Sequence, residues 1–167
     1  MPIEPWVHRD VAGPRTHALV IGVSRYDNLP LEPDHANKKT LGMTQVKTPA
    51  MSALKMAEWL RDDYNPPKAP LANLWLLLSP SVDEVNSAGS MGATAAEVEK
   101  PTKANVEDVL DQWRTACIQN PDDVAVMYVA GHGAQHSTGG SVLILQDFDP
   151  NDNPLLKCAM DVGAVRR

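Results

Sequence analysis

The sequence predicts an α/β fold in which helices cover both faces of a mostly parallel central sheet. Short, continuous apolar runs, of the kind found in strands buried on both faces, alternate along the chain with segments of helical periodicity. The order is strand, helix, strand, helix, strand, which favours parallel strands joined by right-handed crossovers. The length of 167 residues suits one domain. We expect residues 1–15 to be an irregular lead-in and residues 16–167 to form the folded unit.

The composition excludes several classes of protein. Apolar residues make up 43% and charged residues 22% of the chain, as in an ordinary globular domain, and the formal net charge is −6. No basic cluster is present, so we expect no nucleic-acid partner. No apolar stretch has the length of a membrane span, and the N-terminus lacks a signal-peptide pattern. The two cysteines fit a reducing compartment, and we expect a cytoplasmic protein without a membrane partner.

The first half of the chain predicts a strand and a helix separated by a long polar loop. His17–Val23 is a continuous apolar run that suits a buried strand. Residues 24–47 are polar and rich in turn formers, and loops of this length are often functional. Thr48 as N-cap and Pro49 at the first helical position predict the start of a helix. Apolar residues then recur at helical spacing until prolines 66 and 67 end the pattern.

The second half predicts another long helix and the remaining strands. Thr102 is a suitable N-cap, and the apolar residues from Val106 to Cys117 fall on one helical face. Residues 93–98 are a further helical candidate within a stretch that otherwise has no clear pattern. Strands are predicted at Leu74–Leu78, Asp123–Ala130 and Ser141–Gln146.

The tripeptide Gly131-His132-Gly133 follows the third predicted strand directly. In open α/β sheets, ligands bind beyond the carboxyl ends of the strands, which is where this histidine is expected. Flanking glycines allow a sharp bend and close approach to a ligand, and an imidazole suits acid–base chemistry near neutral pH. The N–H of Gly133 is a candidate donor to a developing oxyanion. The alternative is a tight turn with an incidental histidine.

Two segments, and the order of the elements around them, resemble the caspase-like cysteine peptidases, which include caspases, metacaspases and prokaryotic relatives. Tyr128–Gly133 (YVAGHG) resembles the histidine motif of this family, and His17–Tyr26 (HALVIGVSRY) resembles its first strand and the loop that follows. The resemblance covers roughly residues 16–162. It implies a caspase-like fold and hydrolysis of polypeptide substrates by a Cys–His dyad. His132 would then assist the thiol and protonate the leaving amine, and Gly133 would supply an oxyanion donor.

The resemblance leaves the nucleophilic cysteine unassigned. The family pattern puts it about 50 residues after the histidine, near position ~182 and beyond Arg167. Cys158 follows His132 by only 26 residues, in a context that predicts an amphipathic helix or a loop. Cys117 lies on the apolar face of a predicted helix, as an inert core thiol would. We therefore expect a caspase-like domain that is incomplete at its C-terminus.

This interpretation predicts that the chain alone is inactive and that its partner is the C-terminal remainder of its own domain, which carries the cysteine. The chain would be either a truncated form or one fragment of a processed protease, and the terminal Arg166-Arg167 is compatible with cleavage after a basic residue. A catalytically dead adaptor that keeps the fold is the alternative. A doubly wound ligand-binding domain is a third class, but the glycine-rich phosphate motifs that would favour it are absent.

Substrate specificity depends on which charges of the first loop face the substrate. In caspases an arginine from this loop binds an aspartate at P1, the substrate residue before the scissile bond, whereas metacaspases use acidic residues to bind a basic one. This loop contains Arg25, but also Asp27 and Asp34. We take the two aspartates as the substrate-binding candidates for a basic P1 residue, because their charges would be complementary.

We expect no obligatory cofactor, although one loop could bind calcium. Its candidate oxygen ligands alternate along the chain, but the glycine and the terminal glutamate of an EF-hand are missing. The family that the chain resembles includes metacaspases that are stimulated by calcium. The alternative to a calcium site is a turn whose acidic side chains are simply solvated. His132 and His136 have the spacing of a helical zinc site but lie at a strand end without an accompanying glutamate, so we expect no zinc. The calcium candidates are Asp147, Asp149, Asp152 and Asn153.

Overall fold

A four-stranded, mostly parallel sheet forms the centre of the molecule. The structure is a computed structural model, and it describes residues 2–87, 89–135, 140–151 and 159–161. The strands lie in the order β1-β3-β2-β4, with β3 and β4 parallel to the central β2 and the short β1 antiparallel to β3. The predicted parallel arrangement is therefore confirmed. The strands are β1 (Val7–His8), β2 (Thr16–Val23), β3 (Leu71–Ser79) and β4 (Val124–Ala130).

Two long helices cover opposite faces of this sheet, as predicted. Alternate residues of β2 point to opposite sides, so Ala18 and Val20 pack with α1, whereas Leu19 and Ile21 pack with α4. All eight residues of β2 are buried, which explains its continuous apolar sequence. Within the described ranges, no helix is both long and apolar enough to cross a bilayer. The helices are α1 (Pro49–Asp62), α2 (Val82–Asn86), α3 (Met91–Glu97) and α4 (Lys103–Cys117).

Small residues bring α1 unusually close to β2. A Cβ atom added to Gly22 would lie 2.5 Å from the Cβ atom of Ala53 and 2.8 Å from the Cα atom of Ala50. The helix therefore begins directly at the carboxyl end of β2, where the Ala50 N–H donates to Ser24 Oγ over 2.9 Å. This packing fixes the start of the long loop that leaves β2.

A second, antiparallel sheet lies beyond the carboxyl end of β4, in the order β5-β6-β7. β6 confirms the predicted strand after the glycine-rich turn. The prediction of a helix or loop around Cys158 is wrong for Ala159–Asp161, which are extended because they pair with β6. Cys158 itself lies outside the described residues. The strands of this sheet are β5 (Gly133–Gln135), β6 (Ser141–Ile144) and β7 (Ala159–Asp161).

Tertiary contacts also fix the conformation of segments whose sequences show no helical or strand periodicity. The lead-in contains β1, and the Trp75 indole N–H donates to the carbonyl of Ile3 over 3.2 Å. The loop after β2 contains a 3₁₀ turn at Pro33–His35 and no other helix or strand. α2 was not predicted, although Ser81 and Glu84 form a capping box at its start.

The outer edge of β4 is open in the part of the chain that the structure describes. β4 pairs with β2 on one side, and no described strand pairs with it on the other. Val124 and Ala125 are exposed, and the following five residues, up to Ala130, are only half-buried. Among the described residues, this seven-residue apolar strand thus leaves the backbone groups of one edge unpaired.

Candidate active site

His132 lies between the end of β4 and the start of β5, at the carboxyl edge of the large sheet. Both of its peptide groups are held. Its N–H donates to the Tyr26 hydroxyl over 2.7 Å, and its carbonyl accepts from the Ile144 N–H over 2.9 Å. The histidine backbone is therefore fixed from two directions, by the loop after β2 and by the second sheet.

One nitrogen of the His132 ring is anchored to the backbone of the long loop. Nε2 lies 2.6 Å from the carbonyl oxygen of Thr44. A carbonyl only accepts hydrogen bonds, so Nε2 carries the proton and the lone pair of the neutral ring is on Nδ1. Among the described residues, Nδ1 has no hydrogen-bond partner, and the half-buried ring can accept and return a proton there.

Tyr26 forms the inner wall of the site. Its ring centroid lies 5.3 Å from that of His132, at an interplanar angle of 39°. Its hydroxyl donates to the carbonyl of Val23 over 3.2 Å. Burial raises the pKa of Tyr26 to about 12, although the hydrogen bond from the His132 backbone opposes this shift. The hydroxyl therefore stays protonated at neutral pH and acts as a fixed link between β2 and His132.

The space available for a side chain differs between the two glycines beside His132. A Cβ atom on Gly131 would lie 3.0 Å from the Tyr26 hydroxyl and 3.2 Å from the carbonyl oxygen of Val23, so a side chain would push Tyr26 away. At Gly133 the nearest atom to an added Cβ would be the Val142 carbonyl oxygen, at an ordinary 3.6 Å. Contact with neighbouring protein atoms therefore restricts residue type at Gly131 and not at Gly133, and the close approach to a ligand stays a prediction for both.

The N–H of Gly133 points away from the second sheet. Gly133 is opposite Leu143 in the β5–β6 pair, and the preceding His132 already bonds to Ile144. Because hydrogen bonding alternates along antiparallel strands, Gly133 occupies a non-hydrogen-bonded position. The residue is exposed, and its N–H has no hydrogen-bond acceptor in the part of the chain that the structure describes, as the predicted role of an oxyanion donor requires.

The two candidate substrate-binding aspartates lie in different surroundings. Asp27 accepts a hydrogen bond from the Gln146 side-chain amide over 3.1 Å and lines a cavity of about 620 Å³ that also touches Tyr26. Asp34 lies in the exposed 3₁₀ turn and is not among the residues that line this cavity. Asp27 is therefore the aspartate that the structure brings beside the neighbours of His132.

The cavity beside Tyr26 has both acidic and apolar walls. Three carboxylates and two cationic side chains surround it, and the apolar side chains of Leu31 and Val82 are 79% and 62% exposed at its rim. An extended peptide could therefore find both charged and apolar contacts here. The charged lining residues are Asp27, Glu32, Asp83, Arg25 and Lys47.

Cys117 is unsuited to serve as a nucleophile for His132. Burial, together with the negative charge of Asp123, raises the pKa of its thiol to about 11, so very little reactive thiolate is present at neutral pH. It also ends α4, which leads into the amino end of β4, whereas His132 follows the carboxyl end. A seven-residue strand separates those two ends by roughly 20 Å.

In the described part of the acidic loop proposed for calcium, the aspartate side chains accept backbone hydrogen bonds. Both carboxylate oxygens of Asp147 accept from the Lys103 N–H, at 3.1 Å each, at the start of α4. Asp149 accepts from the Asn151 N–H over 2.8 Å within a turn. The described residues contain no group of three side chains suited to a metal ion. Asp152, Asn153 and His136 lie outside those residues, and calcium binding stays a prediction.

Comparison with known families agrees with this architecture. Residues 15–165 match the family model described as the caspase domain. The chain belongs to the caspase-domain family of peptidases. A search of curated proteins finds no match. Family membership supports cysteine peptidase activity in general, together with the α/β fold.

Three residues of this caspase domain that hold His132 were not among the predicted site residues. Tyr26 and Thr44 bind it directly, and Gln45 links the segments that contain them. Tyr26 was part of the sequence resemblance but had no assigned role. Thr44 acts through its backbone carbonyl, which any residue supplies, so its side chain gives no signal in the sequence.

Proposed function

We propose that this chain is the histidine-bearing part of a cysteine endopeptidase. The observation that carries the proposal is the His132 ring, held by Thr44 through Nε2 while Nδ1 is left without a partner among the described residues. In the proposed reaction Nδ1 takes the proton of a cysteine thiol, and the sulfur attacks the peptide carbonyl carbon. His132 then protonates the leaving amine as the C–N bond breaks, and water hydrolyses the acyl-enzyme. The Gly133 N–H stabilises the oxyanion.

The thiol in this proposal comes from a strand that adds along the open edge of β4. That edge is apolar, half-exposed and unpaired among the described residues. A strand added parallel to β4 would satisfy its free backbone groups and cover its side chains. Because parallel strands end at the same side of a sheet, a cysteine at the end of the added strand would lie near His132. The C-terminal remainder of the same domain is the proposed source of this strand.

The proposed substrate is a polypeptide with a basic residue at P1. Asp27 supports this proposal because it lines the cavity beside Tyr26, and three of the five charged residues around that cavity are acidic. An aspartate at P1 would instead favour Arg25, which lines the same cavity. The two specificities therefore require opposite responses to substitution of Asp27.

The activity is tested by comparing residues 1–167 with a form extended at the C-terminus by the next part of its gene. We expect peptide hydrolysis only from the extended form, and loss of at least about a thousandfold in kcat on His132→Ala. His35→Ala, which alters an exposed histidine of the 3₁₀ turn, is the matched control and should be fully active. Full activity of the short chain that disappears on Cys158→Ala would contradict the proposal. An inactive extended form would instead favour an adaptor.

Specificity is tested in the extended form with peptides that differ only at P1. Asp27→Asn should raise KM for an arginine substrate about fivefold, because the ion pair between this exposed carboxylate and the substrate is lost. Asp34→Asn is the comparison, and it should leave KM unchanged because Asp34 lies off the cavity. A preference for aspartate at P1, strengthened by Asp27→Asn, would overturn the assignment of a basic substrate.

A further inference from the structure

The side chain of Gln45 ties together the two loop segments that hold His132. Its Oε1 atom accepts from the Tyr26 N–H over 2.7 Å. Its Nε2 atom donates to the carbonyl of Tyr26 over 2.8 Å and to the carbonyl of Leu29 over 2.7 Å. One half-buried amide therefore uses its acceptor and both donors on the backbone of residues 26–29.

These bonds place Gln45 between the two groups that contact His132. On one side, the Tyr26 hydroxyl receives the His132 N–H, and Gln45 binds both peptide groups of Tyr26. On the other side, Gln45 directly follows Thr44, whose carbonyl holds the imidazole. The Gln45 side chain thus bridges the segments that carry the Tyr26 hydroxyl and the Thr44 carbonyl, beside a backbone hydrogen bond from the Gln45 N–H to the Pro30 carbonyl over 3.2 Å.

We infer that Gln45 is a positioning residue that keeps the His132 ring in the orientation with Nε2 on Thr44 and with Nδ1 unpartnered among the described residues. Gln45 makes no hydrogen bond to the ring and reaches it through Tyr26 and Thr44, and it also lines the cavity proposed for the substrate. Backbone pairing helps to join the same segments, because the Val46 N–H donates to the carbonyl of Ser24 over 3.0 Å. The side chain adds three hydrogen bonds at the point nearest the histidine. Its role in catalysis rests on the proposed function, whereas its effect on the ring does not.

The inference is tested by NMR on the imidazole of residues 1–167, without any activity. In the wild type, the His132 Nε2–H proton should exchange slowly with water, because it is held by the Thr44 carbonyl. Gln45→Ala should speed this exchange at least tenfold. Gln45→Glu keeps the size and the hydrogen-bond acceptor of the side chain but removes the amide donor. It should also speed the exchange of the His132 Nε2–H proton. Gln119→Ala is the control, since this exposed side-chain amide donates to the Thr115 carbonyl over 3.0 Å, within its own helix end and away from His132.

Backbone amide spectra show whether each variant is folded. If Gln45→Ala unfolds, the exchange rate is measured in Gln45→Glu instead. Unchanged exchange in a folded Gln45 variant would overturn the inference, whatever the activity. In the extended form, we expect Gln45→Glu to lower kcat about tenfold, because the acid–base group is misplaced. KM is followed separately, since Gln45 also lines the cavity and the new carboxylate would lower KM for an arginine substrate. Faster ring exchange in an extended form that never hydrolyses peptides would keep the positioning role and reject the proposed function.

Discussion

His17 and His132 lie at opposite ends of the same parallel sheet and are held in opposite ways. The His17 side chain is 2% exposed and the ring makes contacts through both nitrogens, with Asn73 at 3.0 Å and with Asp123 at 3.4 Å. The His132 ring is half-buried and has one nitrogen on a carbonyl, while the other has no described partner. The histidine at the amino end therefore belongs to the packing, whereas the histidine at the carboxyl end is the one to which we assign a chemical role.

The amino-end cluster is a buried network centred on Asp123, whose side chain is fully buried. Its Oδ1 atom accepts from the Arg15 N–H over 2.9 Å, and its Oδ2 atom faces the His17 ring without a hydrogen bond of good geometry. The other side of the ring accepts from the Asn73 amide, which holds Nδ1 unprotonated. Such a network stabilises the fold only while each member keeps its partner.

The contrast predicts that substitution of these two histidine sites affects different properties, namely stability at one end of the sheet and chemistry at the other. At the amino end, a change leaves buried polar atoms without partners, so it should be felt in the stability of the protein. At the carboxyl end, the backbone of His132 is fixed separately from its ring. A change to the ring should therefore alter chemistry and leave the fold intact.

The largest expected effect is that of Asp123→Ala on stability. This substitution removes the acceptor of the Arg15 N–H and leaves the buried His17 ring facing an apolar group. We expect the free energy of unfolding to fall by about 3 kcal/mol. Urea denaturation measures the change from the midpoint at constant m value. Asp122→Ala, at the exposed neighbouring position, should stay within about 0.5 kcal/mol, and equal losses in both variants would refute a special role for the buried network.

An effect of intermediate size is expected from the pH dependence of the free energy of unfolding. Burial lowers the pKa of His17 below its ordinary value of 6.5; contacts with Asp123 oppose this shift, and the charge of Arg15 adds to it. Between the lowered value and 6.5, the unfolded chain binds more protons than the folded one. His17 therefore contributes stability that is present above pH 6.5 and is lost as the pH falls through its folded-state pKa.

This pH dependence is measured by urea denaturation at several values between about pH 7.5 and 5.5, where carboxylates contribute little. A single group accounts for at most about 1.4 kcal/mol per pH unit. His17→Gln should flatten the curve, whereas His35→Gln, at an exposed position, should leave it unchanged. A slope that survives in the His17 variant would assign the proton uptake to another group.

Much of the fold follows from local patterns in the sequence. The continuous burial of β2 and the single apolar face of α4 produce periodicities that were recognised, and the helix cap at Thr102 is present, with its side chain accepting from the Asn105 N–H. Segments whose structure comes from pairing gave no such pattern. β1 and β7 have two and three residues, and each exists because a neighbouring strand supplies its hydrogen bonds. The capping box of Ser81 and Glu84 is a local pattern in the sequence, and it marks the start of α2.

The candidate site was predictable only in part. The position of His132 followed from a strand ending in a glycine-flanked histidine, and the structure places it at the carboxyl edge of the sheet. The residues that orient it come from a loop between β2 and α1, where chain geometry is set by long-range contacts. Thr44 contributes a backbone oxygen, which any residue supplies, and Gln45 acts on backbone groups of residues 26–29 whose position the loop sequence does not reveal.

The smallest expected effect is that of His132→Ala on stability. The variant loses the ring hydrogen bond to Thr44 and the contact with Tyr26, and keeps both backbone hydrogen bonds of residue 132. A single hydrogen bond at a half-buried site contributes about 1 kcal/mol, so we expect a loss no larger than that. The same urea titration as for Asp123→Ala measures it, with Asp122→Ala again as the reference. A loss as large as that of Asp123→Ala would mean that the ring is part of the packing, and the contrast between the two ends of the sheet would fail. A small loss, together with the thousandfold fall in kcat expected for the extended form, would separate the chemical role of this histidine from any role in folding.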